Sequence, residues 1–85
     1  MGLFGMSQPD PKTLAGNAYK LARTEVWDAE AGRIGREEFQ RRMTAVTDAK
    51  SGHPGASHDF DEWDRHLTEA VSQRADQLLR AMKNS

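Results

Sequence analysis

The sequence predicts an all-α fold, a small three-helix bundle, and three observations carry that prediction. Apolar residues recur at steps of three and four through three stretches, glycine- and proline-bearing breaks separate the stretches, and no run alternates with the period of two that a strand needs. The expected layout is a helical hairpin over about 11–31 and 36–50, then a longer helix over about 59–83. One domain spans 11–83 with a loop at 51–58, after a flexible apolar tail over 1–10.

Asp10 followed by Pro11 reads as an N-cap with proline in the first helical position. Projected at about 100° per residue, the first helix gathers Leu14, Ala15, Ala18, Leu21, Ala22, Val26 and Ala29 on one face. Its alanines admit a close neighbour but each removes little apolar area from water. Gly32 is the expected left-handed stop, with Gly32, Arg33, Ile34 and Gly35 forming a short connector. With Gly35 as the next N-cap, Glu38 falls at the third helical position, where a carboxylate favours the helix terminus, and Ile34 and Phe39 stand as a hydrophobic staple. The inward face of the second helix is narrow: Phe39, Met43 and Val46.

The loop SGHPGASH ends at a capping-box pattern, Asp59 with Glu62, which is expected to open the third helix. Phe60, Trp63, Leu67, Val71, Leu78 and Met82 make the clearest stripe in the chain, with Ala70 and Ala75 between them. Because this helix is expected to outlast its neighbours, part of that stripe is a candidate interface. Two further residues join it. Trp27 projects off the first helix's stripe, as an anchor or as packing under the third helix. Arg74 interrupts the third helix's stripe and Glu25 that of the first, so the two are expected to pair, within one chain or across a homodimer.

Composition narrows the functional classes. The 85 residues are 36% hydrophobic and 29% charged, polar for a globular domain but far from a disordered profile. A chain of this size buries only about 60% of its unfolded surface and so depends on close helix packing or a partner. Cysteine is absent, which removes disulfides, thiolate chemistry and cysteine-ligated metals. The net charge of −1, from 12 basic and 13 acidic residues, provides no broad field for polyanions. No apolar run approaches the roughly 18 residues of a membrane span, and the start lacks a secretory n-region, so the expected location is cytoplasmic. The opening MGLFGM has Met6 where myristoylation requires Ser or Thr, which leaves Leu3, Phe4 and Met6 as a candidate docking tail.

The segment from His58 to His66 concentrates Asp59, Asp61, Glu62 and Asp64, and Asp59, Glu62 and His66 share a helical face, as cation ligands would. Acidic residues also crowd first turns because the helix dipole favours them, and that is the reading adopted: no metal, cofactor or catalytic residue is assigned. His53, His58 and His66 have no nucleophile context, so no enzyme is expected. A helix-turn-helix over 11–50 would send Arg36, Arg41 and Arg42 to a nucleic-acid groove, but Glu37 and Glu38 stand at the leading end of that helix.

The run AGRIGREEFQRRMTAV, residues 31–46, resembles the SHOCT (short C-terminal) domain, a hairpin with a Gly-x-Ile/Val turn followed by Glu-Glu-Phe and a basic helix. Gly32, Ile34, Glu37, Glu38 and Phe39 carry the likeness. The resemblance implies a helical hairpin used for association or as an accessory module, without catalytic residues. The expected function is therefore a non-enzymatic protein–protein interaction module whose partner is another protein or a second copy, bound through the third helix. The alternative is a small nucleic-acid-binding regulator.

Overall fold

The computed structural model describes residues 10–84, so Leu3, Phe4 and Met6 of the candidate docking tail lie outside the described residues. Three helices follow one another: α1 (Pro11–Ile34), α2 (Arg36–Lys50) and α3 (Asp61–Asn84). The all-α, three-helix class is as predicted.

Asp10 caps α1 as expected, its carboxylate accepting the Thr13 N–H at 2.8 Å, and that bond lowers its pKa. Gly32 is not the stop. The helix continues through it to Ile34, and Gly35 alone makes the turn at φ +95°. The Gly35 N–H donates to the Ala31 carbonyl at 2.8 Å, and its own carbonyl accepts the Phe39 N–H at 2.9 Å. One glycine thus closes α1 and opens α2, and the extra turn lets Ile34 pack against the core.

The start of α3 also differs from expectation. Asp59 and Glu62 form no capping box: the Asp59 N–H donates to Ser57 Oγ at 3.2 Å, and the helix begins two residues later at Asp61. Asp61, Glu62 and Asp64 still occupy the first turn, where the dipole favours acids. With these two shifts α1 and α3 have equal length, 24 residues or about 36 Å. The third helix does not outlast the first.

The bundle is uneven. Trp63 of α3 bonds Glu30 of α1, and Arg74, further along α3, bonds Glu25, further back along α1, so the two long helices run antiparallel. Their seam buries Ala18, Ala22, Leu67 and Val71. The shorter α2 sits over one end of the pair, where α1 stops and α3 starts. There Phe39 joins Ala31 and Leu67 in a cluster flanked by Val26, Trp27, Ile34, Met43 and Trp63.

Only one end of the long pair is therefore three helices thick. At the other end, among the described residues, each helix has a single neighbour, so the buried stripe of α1 narrows to its alanines. Leu21, expected in the core, is 50% exposed, and Tyr19 is 44% exposed. Ala15 is exposed for the same reason, whereas Ala29, expected in the core, is exposed because it lies on the side of α1 turned to the open groove beside α3.

Candidate functional site

Four rings connect the three helices at the thick end. Trp27 meets Phe39, Phe39 meets Trp63 and Trp63 meets Phe60, all edge to face, with centroids 5.7, 5.7 and 6.3 Å apart. Each such pair contributes about 0.5–1.5 kcal/mol beyond its area. Trp27 is thus packed, its ring against Phe39 of α2, with the Arg23 guanidinium 5.3 Å from its centre.

Guanidinium groups cover the far side of the ring chain. Arg42 lies 5.2 Å from the centre of Phe60 and 5.4 Å from that of Trp63, and Arg41 lies 5.4 Å from Phe60. Both arginines are held by one carboxylate. Glu38 accepts two bonds from Arg41, at 2.9 and 2.7 Å, and one from Arg42 at 2.7 Å. Those bonds draw the Glu38 carboxyl down to about 2. Glu38 stands in the first turn of α2 as expected, and from there it also fixes the two arginines over the aromatics.

Glu30 plays the matching part on α1. Its side chain is only 12% exposed and accepts a two-pronged bond from Arg33, at 2.8 and 2.6 Å, and the Trp63 indole N–H at 2.6 Å. The Arg33 bonds, against the cost of burial, hold its carboxyl below the usual range, with the indole adding to them. The i,i+3 spacing to Arg33 is local to α1, but nothing within that helix announces the indole partner 33 residues away.

Beside this junction an open groove of about 900 Å³ runs between the long helices. Val26, Ala29 and Arg33 line it from α1, and Trp63, His66, Leu67 and Ala70 from α3. Phe60 and Arg42 close its end, and Asp59 and Glu62 edge it. The candidate cation ligands Asp59, Glu62 and His66 all reach this groove, yet among the described residues no three His, Asp or Glu side chains converge as a metal site requires.

The groove continues along the pair by helical spacing. Ala29 is one turn from Glu25 and Ala70 one turn from Arg74, and these two charges bridge the helices at 2.9 Å. The expected Glu25–Arg74 pair thus forms within the chain. One turn beyond the bridge on each helix stand Leu21, half exposed, and Leu78, half buried.

Of the candidate interface residues, Leu67 and Val71 are buried inside the α1–α3 seam, at 7% and 1% exposure. Trp27, Phe60 and Trp63 belong to the ring chain and Arg74 to the bridge, while Leu78 and Met82 are half buried near the thin end. Sequence reasoning did not single out Leu21, Glu30, Arg33 or Arg42 as parts of one surface. Among the described residues no helix is long and apolar enough to cross a membrane.

No protein-family model, curated protein or solved structure matches this chain.

Proposed function

We propose that this protein is a non-enzymatic association module that binds another protein along the open α1–α3 groove and its continuation toward the thin end. The carrying observation is the continuity of that face: the aromatic-ended groove leads through Ala29 and Ala70, past the Glu25–Arg74 bridge, to Leu21 and Leu78. A half-exposed leucine beside a rigid, partly apolar groove is the anatomy of a helix-packing interface, in which a few apolar anchors sit among fixed charges. The SHOCT-like hairpin points the same way. The nucleic-acid reading is weaker, because Arg41 and Arg42 share the Glu38 carboxylate and lie over Phe60.

A photo-crosslinking side chain placed at Leu21 or at Leu78, in the cells that express the protein, tests the reading. Adducts at both positions, and none at Gln40 on the exposed side of α2, are the expected result. No adduct of any mass at either position would remove the proposal.

A further inference from the structure

We infer that the occupant of this face is a second copy of the same chain, docked antiparallel about a twofold axis near the Glu25–Arg74 bridge; this rests on the association reading above. The axis follows from the geometry of the face. Groove and leucines flank the bridge on opposite sides, so a half-turn about the bridge lays the Leu21 and Leu78 end of each copy into the groove of the other.

Charge supports this pairing. The thick end binds most of its own bases: Arg33 to Glu30, Arg41 and Arg42 to Glu38, Lys50 to Asp64. Its groove-edge acids Asp59 and Glu62 are engaged in no ion pair. At the thin end the balance is reversed. Among the described residues Lys12, Lys20, Arg80 and Lys83 have no ion-pair partner, and Asp76 is the one acid on the last three turns of α3. A chain with net charge −1 thus carries an acidic end and a basic end, and the twofold arrangement lays the basic end of each copy over the acidic end of the other. A parallel arrangement would set like against like.

The area is adequate. Two helices about 36 Å long and about 9 Å apart present a face of roughly 700 Å² per copy. Stable interfaces take about 800 Å² from each partner. The product is a four-helix layer in which the thin end of each copy gains the third and fourth neighbours it lacks.

The test uses the full chain, whose monomer mass is 9.5 kDa. Light scattering over a concentration series is expected to show the mass doubling, with the association weakened by added salt. Leu21→Arg with Leu78→Arg is expected to hold the chain at the monomer mass with its helical circular dichroism intact. Arg80→Glu with Lys83→Glu, and separately Asp59→Lys with Glu62→Lys, are each expected to weaken self-association about tenfold. Mixing the two charge variants is expected to restore a heterodimer. A mixture no tighter than either variant alone would overturn the antiparallel pairing. A wild-type chain monomeric at every concentration would overturn self-association altogether, and adducts at Leu21 to a different protein would then leave the association reading standing.

Discussion

The two ends of the α1–α3 pair are built from the same two helices and hold together by different means. At the thick end four rings, three arginines and two carboxylates interlock α1, α2 and α3, and large side chains remove most of the apolar area. At the thin end the helices meet through Ala18 and Ala22, at 1% and 0% exposure. Alanines give close approach but little buried area. The thick end therefore holds the fold together, and the thin end leaves its larger apolar groups, Tyr19 and Leu21, exposed.

Truncation at the thick end should break this division most severely. Phe39 is 8% exposed and touches both tryptophans, so Phe39→Ala is expected to cost about 3–5 kcal/mol, comparable to the whole stability of a small domain. Urea unfolding followed by circular dichroism would read a large fall in midpoint, or no folded baseline. A loss below about 1 kcal/mol would show that the ring chain is not the cohesive centre. The thin end should fail by the opposite change. Ala22 has no exposed surface, so Ala22→Leu forces α1 and α3 apart and is expected to cost about 1–3 kcal/mol by overpacking. The same substitution at exposed Ala15 should leave the midpoint unchanged.

Acid should also act at the thick end first. Glu38 titrates near 2 in the folded chain against an ordinary 4.5, and Glu30 is shifted in the same direction by Arg33 and Trp63. A depressed folded pKa means stabilisation that is complete above the unfolded value and is lost as pH falls toward the folded one. The unfolding midpoint is therefore expected to fall between about pH 5 and pH 2, with tryptophan fluorescence as the readout because both tryptophans sit at this junction. Glu38→Gln should flatten part of that dependence. An unchanged acid slope in Glu38→Gln and Glu30→Gln would assign acid sensitivity elsewhere.

The same contrast explains what was legible in the sequence. Three helices and their approximate limits follow from apolar spacing and breaks, which are local properties. Local signals did not separate Gly32 from Gly35 as the stop, because both glycines permit a left-handed turn and the decision rests on burying Ile34. Nor does periodicity report how many neighbours a helix has. Leu21 lies within a valid apolar stripe and is left half exposed, because α2 covers only the far end of α1. The junction was hidden for another reason: Arg42 over Phe60 and Trp63, and the indole bond to Glu30, join residues far apart in sequence that no helical spacing relates. The Glu25–Arg74 bridge was legible although its partners are 49 residues apart, since each charge interrupts an apolar stripe and each lacks a better partner nearby.

That bridge sharpens the comparison at its smallest scale, because it stands where the thick end gives way to the thin one. Its side chains are 40% and 50% exposed, so solvent screens the pair, and a double-mutant cycle of Glu25→Ala and Arg74→Ala in the monomer is expected to give a coupling of only about 0.2–1 kcal/mol. In an antiparallel dimer the same bridge lies at the centre of the interface, out of water, where breaking one partner leaves an uncompensated charge. The coupling measured above the concentration of association should then exceed the monomer value by more than twofold. Equal couplings at low and high concentration would place the bridge at the surface in both states and move the twofold axis away from it.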